Sequence, residues 1–524
     1  MKKLILLFLP FITAMATAQV VGPNLSQFNS IRQNGVSSIA ATGDTIWISP
    51  ALNRNIGNSA EWFKPNGIDS IDNGIGRVFS IEANRDTLFA GLGFTSVTEV
   101  GNQPAGYGYY ITVDGGETWR FSEFLLDRFV NQDTTFTYGG VLYNRQRIIV
   151  PEQSPPYDIS FKGDVLFSAN WASGLLRSTD FGLSWERVVL PPFGERLLTP
   201  ERNDYFWRDC VAIQNGACTQ EENRYNSVED DNLKGFAVHI DSQSRVWYGS
   251  AGGINISENA LTAPLDSISW KNVGFSGVSD GLLARWIIEI EEDTSTGRVW
   301  MTNWTAEPNG GDSFGIVYTE DLGETFEQRL VGEKILSIEF KDGYVFAAGE
   351  NGLFISPDGG DSWQKSPQIR SANTFLKESA EFQSVAVAND RVWVGTNDGI
   401  ISTTDFGSTW EITRVNFPLS GGNAYDPEAK SVSAYAYPNP FSPDQHEIVR
   451  IKFDVKNSGT ATVRIFDFGM NLVRELESIE LSPGSYEAIW DGVDGKGRKV
   501  ANAPYFYSIK TSGETVNGKI LLVE

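Results

Sequence analysis

Histidine, cysteine and cationic side chains are scarce in this 524-residue chain. Two histidines exclude a histidine-rich metal site. Lys and Arg number 42 against 66 Asp and Glu, a formal charge of −24. Such an acidic excess excludes a general nucleic-acid binder, because phosphate contacts need clustered cations. It also argues against a peripheral protein of anionic membranes. After the N-terminus no apolar run reaches the ~18 residues of a membrane-spanning helix, so no transmembrane segment is expected in the mature chain. No phosphate-binding loop, Ser-His-Asp set or metal-ligand cluster is visible, so no metal and no cofactor is expected.

The ends and the two cysteines speak to location. Lys2-Lys3, the apolar run Leu4–Ala16 and the small residues Ala16-Thr17-Ala18 form the three regions of a signal peptide over residues 1–18. Cys210 and Cys218 fall in one loop-like stretch, which in an exported chain reads as a small disulfide pinning an insertion. A redox pair is the alternative, and it lacks the close Cys-x-x-Cys spacing.

Glycine at 52 residues and aromatics at 12% suit many short strands joined by tight turns. A strand with a central aromatic recurs seven times, at Trp47, Phe89, Phe167, Trp247, Trp300, Phe346 and Trp393. Another short apolar strand precedes each copy, as in Ser337–Phe340 and Ser384–Ala388. The two long gaps in this series imply insertions near residues 120–155 and 190–235. These strands are apolar or small on both faces, which one small sheet cannot bury. Stacking the sheets radially about an axis buries both faces and leaves only short edges. The expected fold is all-β, a seven-bladed β-propeller over residues 19–422.

A second repeat runs in phase with the first. Thr112-Val-Asp114-Gly-Gly116-Glu-Thr-Trp119 recurs around Asp180, Asp321, Asp358 and Asp405, with the pattern [ST]-x-D-x-G-x-[ST]-[WF]. The carboxylate can accept N–H bonds from its own turn, and the glycine can take the positive φ that closes it. This pattern resembles the Asp-box, or BNR, repeat, which in its family sits on the turn between the third and fourth strands of a propeller blade. Asp-box propellers include sialidases, xyloglucan-type glycoside hydrolases, sortilin-like receptors and photosystem II assembly factors. The resemblance implies fold rather than activity. Repetition at turn positions makes the five aspartates structural. Ser257–Trp270 reads as a sixth, expanded copy, and the first unit has none.

The character changes after residue 422. Residues 423–431 read as a linker, and residues 432–524 as an antiparallel sandwich of short strands. Tyr437-Pro-Asn-Pro-Phe441, Trp490-Asp-Gly492 and Tyr505-Phe-Tyr507 resemble the C-terminal sorting domain of type IX secretion cargo, of the flagellar hook-cap immunoglobulin-like class. The resemblance implies a Gram-negative source, Sec export and transfer to the outer-membrane surface or the medium. It also implies contact with the secretion machinery, and members of that family are often cleaved at this domain. The chain departs from the pattern at its last residues, Leu522-Val-Glu524, where such tails finish basic, and at Ala503-Pro504. Asp491–Gly497 reads as a tight turn rather than a calcium loop.

Ligands of propellers meet the axial face carrying the loops after the second strand. Two of those loops hold Asn170-Trp171 and Asn303-Trp304 where other units have small residues. An exposed Trp offers a flat face to a sugar ring or peptide side chain, unless it packs on a neighbouring loop. The insertions, with Tyr138, Tyr143, Tyr205, Phe206 and Trp207, could add a rim or lid. Glu289, Glu291, Glu292, Asp293 and Asp312 are available carboxylates, and the run Glu291–Asp293 reads as a solvated hairpin turn. Two readings follow. The first is a secreted or surface-displayed propeller that binds polysaccharide or protein without catalysis. The alternative is an Asp-box glycoside hydrolase acting on extracellular polysaccharide, which needs two opposed carboxyl groups.

Overall fold

Strands such as Gly253–Ser257, Gly315–Thr319 and Gly399–Thr403 are buried at every position, so each must be covered on both faces. The computed structural model shows how. It describes residues 25–28, 30–65, 77–129, 133–305, 311–371, 374–416 and 432–524. The signal peptide read at 1–18 and the linker read at 423–431 lie outside these residues. The chain is almost entirely β-structure, and antiparallel sheets of four or five strands dominate it. Seven of them begin with the strands Ser38–Thr42, Arg77–Asn84, Pro156–Lys162, Gly235–Ile240, Trp286–Asp293, Ile335–Lys341 and Phe382–Ala388. Each of these first strands lies beside the next, and the seventh lies beside the first, so the ring closes.

Closure joins the two ends of the ring. Residues before the first sheet cross onto the seventh, where Val36 N donates to Thr396 O at 2.9 Å and Gly399 N to Asn34 O at 2.8 Å. Asn34 Oδ1 and Ser30 Oγ accept from Val415 N and Asn416 N. Trp62 meets Trp393 edge to face at 6.3 Å over a shared apolar cluster. The repeated aromatics pack the other seams in the same way.

The five repeated turns form a second set of seams. In the first, Asp114 Oδ1 accepts from Thr118 N at 2.9 Å and Oδ2 from Thr118 Oγ1 at 2.6 Å. Thr112 Oγ1 donates to Asp114 and accepts from Gly116 N at 2.9 Å. The same bonds recur at Asp180, Asp321, Asp358 and Asp405. In the expanded copy, Asn259 takes the aspartate's place and accepts from Ser269 N across ten residues at 2.9 Å. The residue after each aspartate has positive φ, and in four of the five turns its carbonyl faces the preceding blade. Arg54 donates to Gly115 O, Arg120 to Phe181 O, Lys271 to Leu322 O at 2.8 Å and Arg298 to Gly359 O at 3.2 Å. The turn glycine then presses on that blade. A Cβ on Gly116 would lie 2.6 Å from Trp47, and one on Gly360 2.4 Å from Trp300.

The insertions build one further sheet from Thr134–Tyr138, Val141–Arg145, Ala217–Tyr225 and Arg208–Gln214. Tyr138, Tyr143, Tyr205 and Trp207 are its buried core, packed on Val188, Leu190 and Trp270 of the third and fourth blades. They do not form the rim or lid that their aromatic content suggested, because an added sheet needs an apolar face of its own; Phe206 alone of that group is exposed. Cys210 and Cys218 are bonded across the exposed hairpin of this sheet.

Residues 434–522 form two facing sheets of three and four strands around Ile451, Phe453, Val463, Trp490, Tyr505 and Ile520. Asp494 accepts from the N–H groups of Lys496 and Arg498, so Asp491–Gly497 is a turn closed by its own backbone.

Gly116→Ala combines left-handed strain with a clash on Trp47, and its expected cost is on the order of 3 kcal/mol. Gly43→Ala, at φ +58° with open space around it, is expected to cost about 1 kcal/mol. Urea denaturation of both variants checks this. Equal losses would show that the turn does not lock neighbouring blades.

Candidate functional site

The first strands line an axial channel of about 400 Å³. Six of them share a β-bulge near the same end, where an extra residue re-aims a side chain. The bulges skip Phe79, Tyr157, Phe236, Leu336 and Gln383, and a matching irregularity falls at Ile288-Glu289. Aligned on the bulge, the strands read Phe79-Ser-Ile-Glu82, Tyr157-Asp-Ile-Ser160, Phe236-Ala-Val-His239, Ile288-Glu-Ile-Glu291, Leu336-Ser-Ile-Glu339 and Gln383-Ser-Val-Ala386. The Ile or Val at the third position is core. The second and fourth positions bring Glu82, Asp158, His239, Glu289, Glu291 and Glu339 to the channel, and no Lys or Arg lines it among the described residues.

Several of these groups complete the next blade's exposed backbone. Asp158 Oδ2 accepts from Val238 N at 2.8 Å, Ser160 Oγ from Ile240 N at 3.1 Å and Ser337 Oγ from Val385 N at 3.1 Å. Glu339 accepts from Phe340 N at 2.8 Å and also from Val387 N. Glu289 faces Ser337 and Ile338 of the next blade, and its buried Oε2 has no hydrogen-bond partner. Glu291 stands 3.8 Å from His239. Burial, reinforced by the charges of Asp158 and Glu339, raises Glu82 to about 8. Burial raises Asp158 to about 7 against two N–H bonds, and Glu339 likewise to about 7. Glu289 and Glu291 are raised well above the usual carboxylate range, chiefly by burial. Burial lowers His239. The expectation that Glu291–Asp293 forms a solvated turn is corrected. Glu291 faces the channel, Glu292 accepts from Ser242 at 2.7 Å, and buried Asp293 closes the turn with Ser295 and Thr296.

At one mouth of the channel stand aromatic rings from consecutive blades. Phe79 meets Tyr157 at 6.2 Å, Tyr157 meets Phe236 at 6.1 Å, and Phe236 meets Trp286 at 5.5 Å. Trp171 joins them, 5.0 Å from Phe236 and 6.0 Å from Trp286, with Lys234 Nζ 5.6 Å from its ring. All five rings are half-buried. The sequence reading singled out only Trp171 of this group. The signal for Phe79, Tyr157 and Phe236 lies in the aligned bulge motif, where aromatics open three successive copies; Trp286 stands two residues before the motif.

The remaining candidates separate. Trp304 donates its indole N–H to Ile335 O at 2.7 Å and lies under Lys334 Nζ at 4.3 Å, packed against the sixth blade. Asn170 and Asn303 are fully buried, which corrects their reading as ligand-binding residues. Asn170 Nδ2 donates to Ser168 O at 3.0 Å, and Asn303 Oδ1 accepts from Leu283 N at 2.8 Å and Ala284 N at 3.2 Å. Both amides pin the backbone at the end of the aromatic strand, where the chain turns and the sheet ladder stops. The five turn aspartates lie on the opposite connections, between third and fourth strands, and each is bound within its own turn. The hydroxyl and N–H of Ser362, with Ser356, hold Asp358 at about 2.

Closed ring, stacked sheets and axial channel together define a β-propeller. Solved structures similar to this chain include the following. The YCF48 structure described as bound to D1 peptide is 14% identical, covers 72% of this chain and 94% of its own, and gives a TM-score of 0.41. The GH74 xyloglucanase from Xanthomonas campestris is 12% identical, covers 94% and 75%, and gives 0.48. PorZ, a surface component of the type IX secretion system of Porphyromonas gingivalis, is 11% identical, covers 93% and 81%, and gives 0.34. No family model matches the chain, and no curated protein matches it. Among the described residues no helix is long and apolar enough to cross a membrane, and no group of His, Cys, Asp or Glu is arranged to hold a metal ion.

The raised carboxyl groups set a pH dependence. The folded chain binds protons at Glu82, Asp158 and Glu339 at pH values where the unfolded chain has released them, so their contribution to stability falls as pH rises from about 4.5 to about 8. The turn aspartates act oppositely, and their contribution is lost as pH falls below about 4. The thermal midpoint is therefore expected to be higher near pH 5 than at pH 8. Glu82→Gln should flatten that slope by raising the pH 8 value. A midpoint in Glu82→Gln that keeps the full slope would remove Glu82 from this account.

Proposed function

We propose that this protein is an exported propeller that binds an extracellular polysaccharide or protein without catalysis, at the aromatic mouth formed by Phe79, Tyr157, Trp171, Phe236 and Trp286. One observation carries the reading: five half-buried rings from consecutive blades form one contiguous run, and two of them, Phe79 and Tyr157, line the channel. Flat faces, four of them on first strands, suit sugar rings or apolar and cationic side chains. The carboxyl groups below them are enclosed by the first strands, and Asp158 and Glu339 bond neighbouring strands. An internal bond of a polymer lying across the face does not reach them, and hydrolysis would need two that do.

The repeated turns are of Asp-box type, and their five aspartates are scaffold in this reading. The hydrogen bonds within each turn support it. The C-terminal sandwich is read as an immunoglobulin-like sorting domain of the type IX route. Its support is the set Tyr437-Pro-Asn-Pro-Phe441, Trp490-Asp-Gly492 and Tyr505-Phe-Tyr507. Export to the outer surface of a Gram-negative cell follows from that set and the N-terminal signal, and the disulfide suits an oxidising compartment. The glycoside hydrolase stays as the second reading because burial raises the carboxyl groups of Glu82, Glu289 and Glu291 above the usual carboxylate range.

Glycan and peptide arrays with the mature chain test the proposal. Trp171→Ala and Trp286→Ala are expected to weaken binding at least ~10-fold, as loss of a ring platform does, and Trp304→Ala to leave it unchanged. Binding that survives both mouth variants overturns the site. Reducing sugar released from any polysaccharide, and abolished by Glu291→Gln, would promote the hydrolase.

A further inference from the structure

We infer that the C-terminal sandwich is a permanently docked part of the molecule, clamped to the seventh blade by a buried cluster of two arginines and two carboxylates, and that it stays bound when the connecting segment is cut. The cluster draws equally on both parts. Arg414 follows the last strand of the seventh blade, and Asp398 lies in the loop after that blade's second strand. Arg450 and Glu487 sit on adjacent strands of the sandwich.

The contacts interleave. Arg414 Nε donates to Asp398 O at 2.8 Å, and its Nη2 to Asp398 Oδ2 at 3.0 Å. Arg450 Nη2 reaches across to the same carboxylate oxygen at 2.7 Å and to Phe375 O at 3.0 Å. Glu487 lies 3.8 Å from Arg414 and 4.0 Å from Arg450, accepts from Thr374 Oγ1 at 3.2 Å and receives the Tyr437 hydroxyl. The arginine side chains are only 6% and 3% exposed, and the carboxylates 13% and 14%. Two ties flank the cluster. Lys452 Nζ donates to Asn416 Oδ1 at 2.5 Å. Glu447 accepts from Glu378 N and Ser379 N, each at 3.1 Å. A cavity of about 360 Å³ borders the contact on the side of Ser371 and Lys452.

Each part carries one arginine and one carboxylate, so it is the hydrogen bonds of the cluster, rather than its net charge, that need the two parts together. Removing the sandwich leaves Asp398 and Phe375 O with Arg414 alone, while on the sandwich buried Arg450 loses both of its hydrogen bonds to the blade and keeps only Glu487 at 4.0 Å. Breaking a buried ion group by taking away one side is far costlier than the net worth of the intact group. A tail whose task ends with its own removal has no need of such a contact. Tyr437, part of the motif read as a sorting signature, is itself one of the clamp's donors.

The test uses the full mature chain with a site-specific protease sequence placed within residues 423–428. After cutting, the two fragments are expected to co-elute on size exclusion and to appear as a 1:1 complex in native mass spectrometry at micromolar concentration. Separation of the wild-type fragments overturns the proposal. Arg450→Ala is expected to weaken the cut complex by at least ~100-fold, while the uncut variant keeps its β-sheet circular dichroism. Undiminished association in this variant would also overturn the clamp. If Arg450→Ala fails to fold, Glu447→Ala serves. It should speed hydrogen exchange at Glu378 and Ser379 at least tenfold, and unchanged exchange there would again count against docking.

Discussion

The innermost strand of each blade has no room for another strand beside it, so its free backbone N–H groups must find acceptors elsewhere. In this protein they find them on the preceding blade. Asp158 and Ser160 serve the fourth blade, and Ser337 and Glu339 the seventh. Where an oxygen acceptor stands at these positions, it ties one blade to the next. Five of the channel-facing side chains are carboxylic acids, and no cation lies among them. Their titration is therefore displaced upward by burial and mutual repulsion. The acidity of the axis is a structural debt of the fold before it is a functional property, which directs attention to the mouth rather than the throat.

A second constraint acts at the outer end of each seam. The residue after each turn aspartate takes positive φ, and in four of the five turns its carbonyl faces the preceding blade. Arg54, Arg120, Lys271 and Arg298 supply the donors. The turn glycine leaves room for the neighbour's aromatic ring. Each turn aspartate thus closes its own hairpin and positions a contact between blades. Seams at both ends hold the ring rigid, and a rigid ring keeps the mouth aromatics in place without a mobile loop. The C-terminal sandwich uses a related device, in which charges from two modules neutralise one another out of water.

The propeller was legible because its evidence is periodic. Trp47 through Trp393 and Asp114 through Asp405 recur in phase, and periodicity of that kind survives any uncertainty about single strands. The buried asparagines were misread because Asn170-Trp171 and Asn303-Trp304 look alike along the chain. In space, the amide points into the backbone at the strand end, and only the Trp171 ring meets other aromatic rings. The insertion aromatics were misread for the same reason, since exposure is a property of what lies opposite. The partnership of Phe79, Tyr157, Phe236 and Trp286 spans more than 200 residues. Aligning the first strands on their bulges makes Phe79, Tyr157 and Phe236 visible in the sequence, while Trp286, two residues off that position, joins them only in space.

Local chemistry by itself determined the number and type of repeated hairpins, the closure of their turns and the change of character after residue 422, because each depends on residues within a few positions of one another. The tertiary structure alone decided which side chains share the axis, which rings form the mouth and that Arg414, Asp398, Arg450 and Glu487 form one cluster. Those groupings depend on the order in which blades meet around a circle, and residues far apart in the chain acquire a common environment only once that circle is closed.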